Sequence, residues 1–306
     1  MSIAVVPAEA DALLDWRAMA EAIAAGHERP RAELGDTFLY RGDDTLLSRA
    51  AWIGGLGLAV KTATIFPGNA GRGKPSINGA VCLYDDDSGA LEALVDFHLV
   101  TKWKTAADSL LAALRLAPPK VRNILICGAG TVATSMVEAY RAAYPEARIA
   151  IWNRTSARAK ALAERLGAIP ASDLETAARA ADIISCATMA SEPILRGAWL
   201  RPGQHVDLIG AYSPDMREAD DEALRRARLF VDSRETVLDH IGELKDPLAR
   251  GVIARGDVIA DFYELASFVR EEDDITLFKN GGGAHLDLMV ARDVLDRWLA
   301  QSSVVS

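Results

Sequence analysis

The sequence is poor in cysteine, since its 306 residues include only three. Cys82, Cys127 and Cys186 are far apart in the chain and form none of the paired spacings of a zinc site or a disulfide framework, so we expect no metal site and a reducing cytoplasm. No run reaches the roughly 18 apolar residues of a membrane span, and no basic leader precedes an apolar stretch at the N-terminus. Neither membrane insertion nor export is expected.

Basic residues are also in the minority. Lys and Arg number 34 against 43 Asp and Glu, which leaves a net charge of −9 and makes nucleic acid and anionic membranes poor partners. Half of the residues are hydrophobic and a quarter are charged, which excludes disordered, collagenous and coiled-coil classes. At roughly 150 residues per domain, the length favours two domains.

The pair Pro118-Pro119 marks an internal boundary, because two prolines cannot continue the helix predicted for Thr101 to Leu116. Beyond it, short apolar runs alternate with helical segments, which predicts an α/β Rossmann-type doubly wound parallel sheet over residues 118–285. The elements predicted there are Asn123–Cys127, Val132–Tyr144, Arg148–Trp152, Ser156–Leu166, Ile183–Ala187 and His205–Ile209.

Residues 1–117 and 286–306 show a different pattern. Asp11 to His27 is an amphipathic helix, and Thr45 to Val60 and Ile77 to Tyr84 have the composition of strands. The final helix, Leu286 to Leu299, carries an apolar face that packs back on these elements. We therefore predict a smaller, discontinuous α+β domain.

A glycine-rich turn follows the first predicted strand of the larger domain. Gly128 permits a tight turn, Gly130 lets the backbone approach a pyrophosphate, and Ala133 allows the helix to pack closely on the strand, while the N-terminus of the helix attracts phosphate. We therefore expect the turn and helix start to bind the cofactor through Gly128, Ala129, Gly130, Thr131 and Val132. The order strand, turn, helix and second strand makes this a dinucleotide-binding fingerprint.

The second strand ends without the carboxylate that would bind the ribose hydroxyls of NAD. Asn153, Arg154 and Thr155 stand there instead and suit a 2′-phosphate, which favours NADP(H) over NAD(H). Because Arg154 can equally be a solvated surface charge, both cofactors remain open.

Two lysines stand out before the fingerprint. Lys61 lies within an apolar strand and Lys104 near the start of a helix, where a buried unpaired ammonium would be costly. Each therefore either reaches water or meets an anion.

Four segments together resemble the ornithine cyclodeaminase and mu-crystallin family: Val60 to Pro75, Lys104 to Ala107, Gly128 to Gly130 and Ile275 to Lys279. The resemblance implies a homodimer whose smaller domain, 1–117 with 286–306, binds the substrate, while the Rossmann domain binds a nicotinamide cofactor. It further implies that Thr188 and Asn280 line the nicotinamide.

The same resemblance assigns residues to the substrate. Lys61 matches a lysine beside the substrate carboxylate, Ser76 matches a threonine that also contacts it, and Lys104 stands where most members have arginine. Lysine lacks the planar fork that grips a carboxylate at two points. A further family arginine aligns with Asp36, and we interpret Arg49 as a relocated guanidinium.

One position separates this chain from the cyclodeaminases of the family. Tyr212 stands where those enzymes have an aspartate that handles the amino group of ornithine, and a phenol cannot replace an anion there. Asp215, in a Ser-Pro-Asp segment like that of the reductases, is expected to cap the next helix.

The expected function is an NAD(P)H-dependent imino acid reductase in which Lys61 and Lys104 are catalytic. Three cations, with Arg49 as the third, favour a dicarboxylic imine, iminosuccinate, giving L-aspartate. The alternatives are reduction of 1-pyrroline-2-carboxylate to proline, redox-neutral ornithine cyclodeamination, and a non-catalytic NADP-dependent binding protein. His285 is a minor candidate for proton transfer.

Overall fold

The computed structural model describes residues 3–305, with the side chains of residues 3–301. The chain divides into two compact units, of which one ends at Lys104 and resumes at Gly283, while the other runs from Thr105 to Gly282. The predicted boundaries, after residues 117 and 285, lie later in the chain. The first differs because a single helix is continuous from Phe97 to Leu116, so that the division falls inside it rather than at the prolines that end it.

The first unit is built on a six-stranded sheet in the order β1-β6-β5-β4-β3-β2. Strands β1 and β6 are parallel and all other neighbours are antiparallel. Helix α9 packs on β3, β4 and α1. The bounds are β1 Ala4–Val6, α1 Trp16–His27, β2 Glu33–Arg41, β3 Asp44–Ile53, β4 Gly57–Ile65, β5 Ile77–Tyr84, β6 Leu91–Asp96, α2 Phe97–Leu116 and α9 Ala284–Val305, with 3-10 turns at Ala8–Leu13 and Pro67–Arg72.

The predicted single strand from Thr45 to Val60 is wrong. The segment forms two antiparallel strands, β3 and β4, joined by a tight turn at residues 54–56. Gly55 (φ +76°) and Gly57 (φ +115°) both adopt left-handed backbone conformations, which side chains disfavour. The apolar run therefore reverses direction and places its two halves side by side.

The second unit is a parallel eight-stranded sheet in the order β13-β12-β14-β11-β10-β7-β8-β9. The prediction of an α/β Rossmann-type sheet with a smaller α+β part is confirmed. The bounds are β7 Asn123–Cys127, α3 Thr131–Ala143, β8 Arg148–Trp152, α4 Ser156–Leu166, β9 Ile169–Pro170, α5 Leu174–Ala180, β10 Ile183–Cys186, β11 His205–Leu208, α6 Asp221–Arg226, β12 Arg228–Val231, α7 Arg234–Val237, α8 Gly242–Ala249, β13 Val258–Ala260 and β14 Thr276–Lys279.

The strand order of this sheet reverses between β7 and β10, which are adjacent although β8 and β9 intervene in the chain. In open α/β sheets, ligands bind beyond the carboxyl ends of the strands at such a reversal. The turns after Cys127 and after Cys186 lie at this edge. No helix among residues 3–305 is long and apolar enough to cross a membrane.

Candidate active site

Lys61 is the centre of a buried polar cluster in the first unit. Its side chain points from β4 to the inner face of the sheet, and only 7% of the residue is exposed. Its Nζ donates to Thr101 Oγ1 at 2.7 Å and to Asp287 Oδ1 at 2.9 Å, and it lies 4.6 Å from the centroid of the Phe97 ring. The lysine therefore meets a carboxylate rather than reaching water.

Asp287 joins the two predicted lysines. Lys104 Nζ lies 3.4 Å from the same Oδ1 atom that accepts from Lys61. Burial alone would raise the pKa of Asp287, but the charges of Lys104 and Lys61 outweigh it and hold the pKa below its usual value. The other oxygen, Oδ2, is buried and has no hydrogen-bond partner among the described residues. An acceptor is thus present beside two ammonium groups.

Burial also controls Lys61. It lowers the pKa of the ammonium from 10.5 to about 8, although the charge of Asp287 acts in the opposite direction. Lys104 and Arg49 add to the lowering because they carry like charges. Lys61 is thus protonated at neutral pH and can lose its proton only slightly above it.

Arg49 lies on the same face of the sheet, directly opposite Lys61 on β4 and Asp36 on β2. Its Nε and Nη2 both bind the Asp36 carboxylate, with the shortest contact 2.9 Å, and its side chain is 29% exposed. The predicted relocated guanidinium is therefore present near the lysines, but a carboxylate already neutralises it.

Ser76 is not brought to this cluster. It precedes β5, and its carbonyl accepts from the Phe66 amide. On β5 the residue opposite Lys61 is Val81, five positions further on, which corresponds to about 17 Å along a strand. The structure therefore gives Ser76 no place beside the lysines.

His285 lies at the start of α9, fully buried, with its ring edge-on to that of His27 at 5.4 Å. Burial lowers the pKa of His285 well below its usual value, and the neighbouring charges of His27 and Lys104 add to this. The imidazole is thus neutral at physiological pH and does not supply a proton.

The glycine turn of the second unit fits a dinucleotide. Gly128 has φ +127°, and a Cβ there would lie 2.5 Å from the Ala187 carbonyl oxygen. Gly130 caps the 13-residue helix α3, which begins at Thr131, and a Cβ at Gly130 would meet nothing within 4 Å. The turn thus combines enforced glycine geometry with an open helix N-terminus that can hold a pyrophosphate.

The predicted ribose-binding residues follow β8. Asn153 donates from Nδ2 to the Thr155 carbonyl oxygen, and Thr155 is the N-cap residue of α4. Arg154 is exposed and makes no hydrogen bond or ion pair with any described residue. Its guanidinium is therefore available to an anion at the start of this helix.

The two residues predicted to line the nicotinamide are both held by hydrogen bonds. Asn280 follows β14, is nearly buried, and donates from Nδ2 to Thr105 O and Ser109 Oγ. Thr188 follows β10, and both its amide and its hydroxyl lie 2.7 Å from Glu218 Oε1.

Glu218 and Asp287 were missed at the sequence level. Asp215, which was predicted to cap a helix, instead accepts from the hydroxyl of Ser213, and the next helix is capped by Asp220. Tyr212 is 64% exposed and provides no anion. Glu218 follows this segment directly and differs from a surface acid only in its complete burial, which sequence does not show.

Together, a glycine turn at the reversal of a parallel sheet and a buried pair of lysines define a dinucleotide-dependent enzyme. Residues 51–302 match the family described as ornithine cyclodeaminase/mu-crystallin, and the chain belongs to that family. The family resemblance, the oxidoreductase class and the NAD(P) cofactor predicted from the sequence are confirmed.

Three similar proteins illustrate the relationship. A Δ1-pyrroline-2-carboxylate reductase from Paracoccus denitrificans is 53% identical over 293 residues, covering 92% of this chain and 93% of that protein. The ketimine reductase mu-crystallin of Mus musculus is 36% identical and covers 79% of this chain and 76% of its own length. The structure of Thermococcus litoralis Δ1-pyrroline-2-carboxylate reductase with NADH and L-proline has a TM-score of 0.88 at 26% identity, with 98% of each chain covered.

Proposed function

We propose that the chain is an NAD(P)H-dependent reductase of a cyclic imino acid, converting Δ1-pyrroline-2-carboxylate to L-proline. This substrate is supported by the charge balance of the residues around Lys61 in the first unit. Arg49 is paired with Asp36, and Lys61 and Lys104 share Asp287, so these five residues carry one net positive charge. One carboxylate matches that charge.

The prediction of iminosuccinate from the sequence was based on the number of cations and did not include the carboxylates that pair with them. A dicarboxylic imine would place a second carboxylate beside Arg49, whose guanidinium already binds Asp36. Displacing that pairing costs free energy that a monocarboxylate does not have to supply. The two relatives named as Δ1-pyrroline-2-carboxylate reductases support the cyclic substrate.

In the proposed reaction, Lys61 and Lys104 bind the substrate carboxylate. Both ammonium groups are largely buried, which strengthens their attraction for an anion relative to solvated lysines. The unpartnered Oδ2 of Asp287 accepts a hydrogen bond from the protonated imine nitrogen. These contacts orient the C=N bond and favour its iminium form, which is the better hydride acceptor.

The bound nicotinamide cofactor supplies the hydride that reduces the imine carbon. A neutral imine needs one proton on its nitrogen to become the iminium that accepts the hydride, and Lys61 Nζ can provide it before the transfer. Hydride addition then converts the iminium to the amine with no further proton. With a pKa of about 8, this ammonium is charged at pH 7 yet gives up a proton more readily than a solvated lysine.

The deciding experiment is oxidation of NADH and NADPH by the purified protein with three substrates offered separately. They are Δ1-pyrroline-2-carboxylate, oxaloacetate plus ammonia, and pyruvate plus ammonia. We expect kcat/KM for the cyclic imine to exceed that for iminosuccinate by at least about tenfold, the equivalent of one unsupported charge contact.

Two results would overturn this substrate. The first is faster turnover of iminosuccinate than of the cyclic imine. The second is release of ammonia from ornithine without net cofactor consumption, which would show a lyase despite the exposed phenol of Tyr212.

We also propose that the protein is a homodimer joined through the outer face of the six-stranded sheet. A groove of about 380 Å³ on this face is lined mainly by apolar residues, among them Trp52, Leu58 and Val60, and Trp52 is half exposed. A second copy burying this face would remove a contiguous apolar surface from water.

Sedimentation should show a dimer for the native chain and a monomer for Val60→Glu. Ile169→Glu, an exposed apolar residue of the other unit, serves as the control and should remain dimeric. A monomeric native chain would contradict the proposal.

A further inference from the structure

Glu218 lies buried between two turns at the carboxyl edge of the parallel sheet. Its Oε1 accepts from both the amide and the hydroxyl of Thr188, and its Oε2 accepts from the Gly210 amide at 2.6 Å. A Cβ on Gly210 would lie 1.8 Å from the Thr188 carbonyl oxygen, so the two turns are in close contact. Glu218 thus ties the turn after β10 to the turn after β11.

The carboxylate also determines which way the Thr188 hydroxyl points. Backbone amides can only donate, so both oxygens of Glu218 act as acceptors and the carboxylate is ionised. Burial raises the pKa of Glu218, and the charge of the buried Lys279 and the hydrogen bonds from Thr188 and Gly210 oppose that shift. Thr188 therefore donates its only hydroxyl hydrogen to Glu218, so that Thr188 Oγ1 can act only as an acceptor toward any other group.

We propose that Glu218 is a positioning residue that makes Thr188 Oγ1 a hydrogen-bond acceptor for the carboxamide N–H of the nicotinamide. This rests on the proposed function for the presence of the cofactor. Thr188 follows β10, the strand next to β7 and its phosphate-binding turn, on the side away from β8 and the ribose-binding residues. A dinucleotide with its pyrophosphate at that turn and its adenosine toward β8 extends its nicotinamide toward β10.

A cofactor analogue without the N–H donor tests this directly. In the reduced 3-acetylpyridine analogue of NADH, a methyl group replaces the carboxamide nitrogen. Dissociation constants for NADH and for the analogue are measured by quenching of protein fluorescence, with no substrate present. We expect the native protein to prefer NADH, and Thr188→Val to reduce that preference about three- to tenfold, the value of one hydrogen bond.

Glu218→Gln should reduce the preference similarly, because its amide nitrogen cannot accept and can turn the hydroxyl away. Thr188→Ser keeps the hydroxyl and should retain the native preference. Glu243→Gln is the matched control: Glu243 is equally buried and accepts from the amides of Glu218 and Ala219, but it does not touch Thr188. Circular dichroism establishes that each variant is folded.

The inference fails if Thr188→Val or folded Glu218→Gln keeps the native preference, or if Glu243→Gln loses it equally. It also fails if neither cofactor binds. Imine turnover is measured separately. If turnover is absent while the predicted pattern of preferences is found, the proposed substrate is wrong and the role of Glu218 stands.

Discussion

Lys61 shows how burial and charge pairing compete at a single residue. Burial lowers its pKa to about 8, and the Asp287 carboxylate limits the decrease. If the charged form binds the substrate carboxylate, the affinity for L-proline with oxidised cofactor should fall above about pH 8, up to tenfold per pH unit. The ammonium of L-proline keeps its charge in this range, so titration of the ligand does not account for the loss.

The variant Asp287→Asn tests whether the pKa of Lys61 sets the pH at which the affinity for L-proline falls. Without the carboxylate, burial acts unopposed and the pKa of Lys61 falls further, so the alkaline limb of the binding profile should move to lower pH. Isothermal titration calorimetry across the pH range measures the limb in both proteins. A limb that stays in place, or moves to higher pH, would show that Lys61 does not control binding.

The pair formed by Asp36 and Arg49 gives a second prediction at the residue scale. Asp36→Asn removes the charge that neutralises the guanidinium, so the first unit gains a free cation beside Lys61. We expect kcat/KM for iminosuccinate to rise about fivefold relative to that for the cyclic imine, since the pair is partly solvated and its contribution modest.

The matched control for this prediction is Asp44→Asn. Asp44 pairs with Arg41 at 2.9 Å on the same hairpin, far along it from Lys61. Its loss should leave the ratio of the two substrates unchanged. If Asp36→Asn changes the ratio no more than Asp44→Asn does, the charge balance does not select the substrate.

At the scale of elements, patterns of short range were predictable. The strands from Asn123 to Cys127 and from Arg148 to Trp152 were predicted with their exact bounds, because each is a short apolar run between breakers. The glycine turn was predicted because strand, turn and helix follow one another directly. The division of 45–60 into two strands was missed, since glycines in an apolar run do not show by themselves that the chain reverses.

Contacts between distant segments were not predictable. Lys61 and Asp287 are 226 residues apart, and only the packing of α9 on β4 brings them together. Glu218 is a similar case, because its importance follows from burial. Ser76 is the converse case: its position in the sequence matches that of a substrate-binding residue in the family, but the structure does not bring it beside the lysines.

The turn between β8 and α4 predicts the choice of cofactor. Arg154 is exposed and unpaired among the described residues, so its guanidinium can bind the 2′-phosphate of NADPH. We expect Arg154→Ser to raise KM for NADPH about tenfold and to leave KM for NADH within about twofold. Arg158→Ser, four residues further on in the first turn of α4 and also exposed, is the control. Equal effects of Arg154→Ser on both cofactors would rule out the phosphate contact.

For the whole molecule, buried titratable groups make folding stability depend on pH in opposite directions. Burial raises the pKa of Asp207 to about 6 and of Glu243 to about 7. These two groups therefore stabilise the native state increasingly as the pH falls from these raised pKa values toward the ordinary pKa of a carboxyl group. Burial lowers the pKa of His205 to about 3, which has the opposite effect. A variant that removes one titration and keeps the packing is needed to separate them.

His205→Asn is such a variant. His205 Nδ1 lies 2.9 Å from Thr276 Oγ1, and the hydroxyl of Thr276 donates to the Leu116 carbonyl oxygen. The imidazole must therefore donate to Thr276, and the amide of an asparagine can donate in the same way. Below pH 6.5 the unfolded chain binds a proton at this histidine and the native chain does not, so the native protein should lose about 2 kcal/mol between pH 6.5 and 5 from this group alone. Urea unfolding at pH 5 and 7.5 should therefore show a smaller loss for His205→Asn, while His98→Asn, at an exposed position, should match the native protein. Equal losses in the native protein and His205→Asn would mean that His205 is protonated in the folded state, contrary to its complete burial.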